Sequence, residues 1–90
     1  MKKVNVRITG RVQGVSYRAW TRATAEQMGL TGWVRNEPDG SVFALLCGSD
    51  ENVAVMIETL WSGPPAAIVD NVEVSEAEAA DEARGFKITR

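Results

Sequence analysis

Ninety residues, 44% of them hydrophobic and 24% charged with a formal net charge of -2, predict one small domain spanning 1–90 and exclude an enzyme with separate cofactor and substrate halves. No apolar run approaches the ~20 residues that a spanning helix needs, and Asn5 and Arg7 break any export signal that Lys2 and Lys3 could open. With no histidine and a single cysteine, Cys47, the usual zinc sites, Ser–His and Cys–His pairs and an internal disulfide are all out of reach, which fits a reducing, cytoplasmic setting.

Val4, Val6 and Ile8 alternate with Asn5, Arg7 and Thr9, the period of a half-buried strand. Gly10 to Ser16 follows as a connection without periodicity. A helix is predicted over Tyr17 to Met28, with an inward stripe of Tyr17, Thr21, Ala25 and Met28, and Gly29 is its C-cap. Thr31 to Asn36 reads as a second strand and Ser41 to Gly48 as a third. Between them, Glu37-Pro38-Asp39-Gly40 has the residues of a tight hairpin turn, with proline presetting one φ and glycine accepting a positive one. Ser49 caps a second helix whose first turn carries Asp50 and Glu51, the charge its N-terminus favours. Val53, Met56, Ile57, Leu60 and Trp61 form its apolar stripe, and Gly63-Pro64-Pro65 stops it. Val69 to Ser75 is a fourth strand, Glu76 to Arg84 a solvated loop, and Phe86 and Ile88 mark a short last strand.

The order β-α-β-β-α-β plus a short C-terminal strand is that of an α+β, ferredoxin-like split βαβ sandwich, a mostly antiparallel sheet with two helices on one face. The right-handed crossover makes strands one and two parallel, so their carboxyl ends share one edge of the sheet. The connection after strand one and Asn36 then face each other across strand three, about 10 Å apart. Charge points to the same place. Residues 1–36 hold seven basic residues against one acid, and residues 37–90 three against eleven. A basic first third suits an anion near the N-terminal elements.

Gly10-Arg11-Val12-Gln13-Gly14-Val15-Ser16-Tyr17-Arg18, then Gly29-Leu30-Thr31-Gly32-Trp33-Val34-Arg35-Asn36 and Asp39-Gly40, strongly resemble the acylphosphatase family. The resemblance runs through Gly63-Pro64-Pro65-Ala66 to the closing Gly85-Phe86-Lys87-Ile88. It implies hydrolysis of carboxyl-phosphate anhydrides without metal or cofactor. By the resemblance, the backbone of Val12, Gln13, Gly14, Val15, Ser16 and Tyr17 is the phosphate cradle, Arg18 binds the phosphate, and Asn36 orients the attacking water. Ser16 and Tyr17 stand where other members often carry an aromatic pair, a departure that bears on substrate preference. The partners it implies are a small-molecule acyl phosphate and competing inorganic phosphate, with no nucleic acid and no membrane, and the chain is expected to act as a monomer.

Elementary chemistry points the same way. A loop entering a helix aims several backbone N–H groups at one spot, and the helix N-terminus adds partial positive charge. Arg18, in the first helical turn, carries a planar fork that matches two phosphate oxygens. No Gly-Lys-Ser/Thr follows Gly14, so the loop is not that of a nucleoside-triphosphate site. Alone, Gly14 reads as a turn, Arg18 as a surface charge and Asn36 as a turn residue; their convergence on one edge makes them a site. Asn36 has no useful basicity and would orient a water, which suffices where positioning supplies most of the gain. Two other readings are a phosphate- or RNA-capturing module without turnover, and the acylphosphatase-like domain of larger carbamoyl-transferring maturation proteins. For RNA, strands one and three offer only Phe43 as a stacking aromatic. Glu73, Glu76, Glu78 and Glu82 read as solvated carboxylates, Trp33 and Trp61 as packing residues, and Cys47 as a small buried hydrophobe.

Overall fold

The computed structural model describes residues 1–77 and 84–89. Five strands and two helices follow in the order β1 (Lys2–Arg11), α1 (Tyr17–Gln27), β2 (Thr31–Asn36), β3 (Val42–Gly48), α2 (Asp50–Ser62), β4 (Ile68–Glu76) and β5 (Phe86–Thr89). They share one sheet of order β4-β1-β3-β2-β5. β1 and β2 both run antiparallel to the central β3, and are therefore parallel to each other. β5 adds to the far side of β2 in parallel. This is the expected α+β, ferredoxin-like arrangement with its extra C-terminal strand.

Alternation along the strands sorts the two faces. Val4, Val6 and Ile8 of β1 lie opposite Leu46, Ala44 and Val42 of β3, and all six are buried. Val34 joins them from β2, and Val72 from β4. The helices close this face with Tyr17 and Ala25 from α1 and Val53, Met56 and Leu60 from α2. Cys47, on the other face, is buried too, and desolvation raises its thiol pKa above the ordinary value. No helix among the described residues is long and apolar enough to cross a membrane.

Several boundaries differ from expectation. β1 runs on through Gly10 and Arg11, because a register shift after Thr9 lets it keep pairing with Val69 and Ile68 of β4 beyond the end of its ladder with β3. The connection is thus only residues 12–16. Met28 caps α1, its N–H shared between the carbonyls of Thr24 and Ala25, and Gly29 takes the left-handed position that follows, φ +70°. Ser41 lies outside β3, and β4 is longer by one residue at each end. Trp61 is not a packing residue: it is 47% exposed. It sits about 80° around the helix from Val53 at 100° per residue, at the margin of the buried stripe. The expected loop 76–84 begins one residue late, since Glu76 ends β4, and its residues 78–83 lie outside the described residues.

Candidate active site

The carboxyl ends of β1 and β2 and the N-terminus of α1 enclose a cleft of about 380 Å³ lined by Val12, Gly14, Ser16, Tyr17, Arg18, Ala19, Asn36 and Ile88. Six of the eight sequence-predicted site residues meet there. Gln13 and Val15 do not line it.

The loop earns its shape residue by residue. Val12 is buried and Val15 packs against the core, so the segment is pinned at two points. Gly14 between them has φ +74°, and an added Cβ would meet nothing within 4 Å. Conformation, not space, asks for glycine there. Ser16 is the only non-glycine residue with positive φ among those described, at 62°. Such strain is characteristic of functional loops, where the surroundings hold a residue in a sparsely populated region.

Ser16 precedes α1 without capping it: its side chain accepts no bond from the first turn, and that turn holds no acid. α2 is built the other way. Ser49 accepts from the Asn52 N–H at 3.1 Å, and Asp50 and Glu51 sit in its first turn. The positive end of α2 is therefore satisfied by its own residues, whereas that of α1 opens on the cleft with its orphan N–H groups and half-buried Arg18. This concentrates positive charge and hydrogen-bond donors at one spot.

Tyr17 contributes backbone to the cleft and a side chain to the core. Its hydroxyl donates to the Leu60 carbonyl at 2.7 Å, tying the first residue of α1 to the last turns of α2, and burial pushes its pKa well above the ordinary tyrosine value. Gln13 turns the opposite way, its Nε2 donating to the carbonyls of Glu37 and Ser41 at 2.8 Å each.

Asn36 closes β2 opposite Val42. Its Oδ1 is buried and accepts no hydrogen bond among the described residues. A buried amide oxygen left without a donor is costly, roughly 1–3 kcal/mol, and in a polar cleft it is a place made for a water or a ligand.

The other candidates fall outside the cleft. Trp33, on the opposite sheet face, lies 5.9 Å from the Phe43 ring and 4.7 Å from the Arg35 guanidinium, a packing role as expected. Among the described residues no group of three or more His, Cys, Asp or Glu gathers to hold a metal. Sequence reasoning missed Ala19 and Ile88. Ile88 reaches the site because β5 pairs in parallel with β2, setting it beside Val34, two residues before Asn36. No local motif signals that pairing.

A family model described as Acylphosphatase matches residues 4–88. The chain belongs to the acylphosphatase family. An acylphosphatase of Rhizobium meliloti (strain 1021) is 58% identical over 85 residues, 94% of this chain and 90% of that protein. The crystal structure of the acylphosphatase from Bacillus subtilis matches with a TM-score of 0.95 at 30% identity, covering 100% of both chains. That of an acylphosphatase from Coxiella burnetii gives 0.92 at 36% identity, covering 98% of this chain and 92% of the other. The fold is thus that of solved acylphosphatases, and the chain is an acylphosphatase-family hydrolase.

Proposed function

We propose that residues 1–90, as one domain, hydrolyse the carboxyl-phosphate anhydride of small acyl phosphates without a metal or cofactor, with the loop 12–17, Arg18 and Asn36 as the working parts. The observation that carries this division of labour is the unpartnered, buried Oδ1 of Asn36 in the same cleft as Arg18 and the open N-terminus of α1. The phosphoryl oxygens lie against the loop N–H groups and the Arg18 fork, which supply positive charge where it develops. Asn36 Oδ1 accepts a hydrogen bond from a water and so aims its oxygen at phosphorus.

The water oxygen forms the new P–O bond as the bond to the acyl oxygen breaks, and that electron pair leaves on the carboxylate. One water proton stays on the incoming oxygen and the other passes to a phosphoryl oxygen, so the dianion and water become carboxylate and dihydrogen phosphate. A carboxylate leaves readily, so no strong general acid is required, and a loose transition state rewards positioning over basicity. The lone, buried thiol of Cys47 supports a cytoplasmic, reducing setting, and we take the working form to be the monomer.

Purified protein mixed with benzoyl phosphate, with and without a chelator, should consume it equally fast; loss of turnover restored by magnesium would overturn the metal-free reading. Asn36→Ala should collapse kcat while inorganic phosphate still competes, since ground-state affinity belongs to Arg18 and the loop. Asn36→Asp should bind phosphate more weakly and turn over poorly, because it sets a negative charge beside the phosphoryl group and cannot donate. Faster turnover in Asn36→Asp would show that proton removal, not orientation, limits the reaction. Phosphate binding without any turnover of benzoyl phosphate would make the chain a capture module.

A further inference from the structure

The two halves of the site belong to different parts of the sheet. The loop 12–16 leaves β1, whereas Asn36 ends β2. β1 stays in the ladder with β3 only as far as the Ile8–Val42 pair, and from Thr9 to Arg11 it pairs with β4 alone. The loop therefore departs where the backbone ladder toward the β2–β3 turn has opened. Among the described residues, two side-chain links to the β2–β3 turn span that opening. One is the exposed ion pair of Arg7 with Asp39, which lies in solvent and is screened accordingly. The other is Gln13.

Both hydrogens of the Gln13 amide are engaged, donating 2.8 Å to the Glu37 carbonyl and 2.8 Å to the Ser41 carbonyl. These two carbonyls form the neck of the hairpin turn, where the Glu37 N–H also bonds the Ser41 carbonyl at 2.8 Å. Glu37 directly follows Asn36, and Ser41 directly precedes Val42, the cross-strand partner of Asn36. The loop has anchors of its own in buried Val12, core-packed Val15 and the Trp20 N–H bond to the Ser16 carbonyl. Gln13 adds nothing to those. It sets the loop against the strand end that carries Asn36.

We infer that Gln13 is a positioning residue that fixes the distance between the phosphate cradle and Asn36. The inference rests on the proposed role of Asn36 as the water-orienting group. With the amide in place, the phosphoryl group held by the loop and the water held by Asn36 meet at reacting distance. Without it, each half keeps its own shape and affinity but the two drift relative to one another, and a misplacement of about 1 Å can cost on the order of a hundredfold in rate.

The test is a double-mutant cycle in kcat with benzoyl phosphate, using Gln13→Met, which matches the side chain in length and lacks the donors. Gln13→Met should lower kcat roughly tenfold or more, while the inhibition constant of inorganic phosphate changes by about twofold or less, a size the loop's retained anchors allow. In an Asn36→Ala background the same substitution should leave the residual rate unchanged within about twofold, because the group it positions is gone. A Gln13 that merely stabilised the fold would lower kcat and melting temperature alike in both backgrounds, and equal loss in both overturns the inference. So does native kcat in Gln13→Met beside a crippled Asn36→Ala, an outcome that leaves the role of Asn36 standing. Native kcat in Asn36→Ala overturns both. Should Gln13→Met fail to fold, Gln13→Asn, which keeps the amide one methylene short, takes its place in the cycle, and the same outcomes support or overturn the inference.

Discussion

Ser16 and Tyr17 are neighbours in sequence that do unlike work, and each makes a measurable difference. Ser16 holds φ at 62° with no side-chain cap bond to compensate. Glycine there should leave stability unchanged or raise it slightly, whereas Ser16→Val should cost about 1–3 kcal/mol, the range for a β-branched residue forced left-handed, as read from urea unfolding. Tyr17 is the chain's one tyrosine, and its buried hydroxyl holds its proton to higher pH than an unfolded chain would. Between those two values only the unfolded chain has ionised. The stability Tyr17 contributes is therefore complete below the ordinary tyrosine value of about 10 and falls as pH rises beyond it. Tyr17→Phe should flatten the alkaline limb of a curve of Tm against pH. At neutral pH it should lose about 1 kcal/mol, because the Leu60 carbonyl is left without its donor. An alkaline limb unchanged in Tyr17→Phe would place the titrating group elsewhere.

Among the elements, β2 is tightly constrained by its neighbours. Gly32 adopts φ +141°, and an added Cβ would overlap the Leu45 carbonyl oxygen and lie 2.8 Å from its carbonyl carbon. Gly32→Ala thus combines a disfavoured dihedral with a collision against rigid backbone. It should destabilise by upwards of about 2 kcal/mol in denaturant. The readout that ties this to function is the carboxyl end of the same strand: any folded Gly32→Ala protein should show a lower kcat through displaced Asn36. Normal stability in Gly32→Ala would mean that β2 can shift relative to β3. That Thr31 to Asn36 forms a strand was legible in the sequence, but the close approach at Gly32 was not. It depends on which strand becomes the neighbour.

For the whole molecule, ligand binding and folding are linked, because the cleft exists only when β1, β2 and α1 are assembled. Phosphate that binds the folded state alone should stabilise it by about 2.7 kcal/mol at a hundred times its Kd. At roughly 4–8 °C per kcal/mol for a domain of this size, Tm should rise roughly 10–20 °C. With Arg18 holding the phosphate as proposed, Arg18→Ala should remove charge-assisted bonds of about 1.5–3 kcal/mol each, so at the same phosphate concentration the shift should fall to roughly half or less. Arg18→Lys should recover only part, since a point charge lacks the fork. A full shift in Arg18→Ala, measured by thermal melting with and without phosphate, would place the anion site elsewhere.

What the sequence determined by itself is what local chemistry settles: the alternation in β1, the Pro-Asp-Gly turn, the Ser49 cap and Gly63-Pro64 stop of α2, and the loop motif from Gly10 to Arg18. Each rests on residues within a few positions of one another, so its physical cause is in the local string. The order of elements with the handedness of crossovers even brought Asn36 to the loop's edge of the sheet, as β1 and β2 flanking β3 bears out. Tertiary structure decided the rest. It carried β1 past Gly10 by pairing with β4, and brought Ile88 to the cleft through a parallel edge strand. It also turned the Gln13 amide away from the cleft onto the hairpin neck. These are contacts between segments more than twenty residues apart. Their energies depend on distances that no local pattern encodes, and they exist only once the sheet has closed.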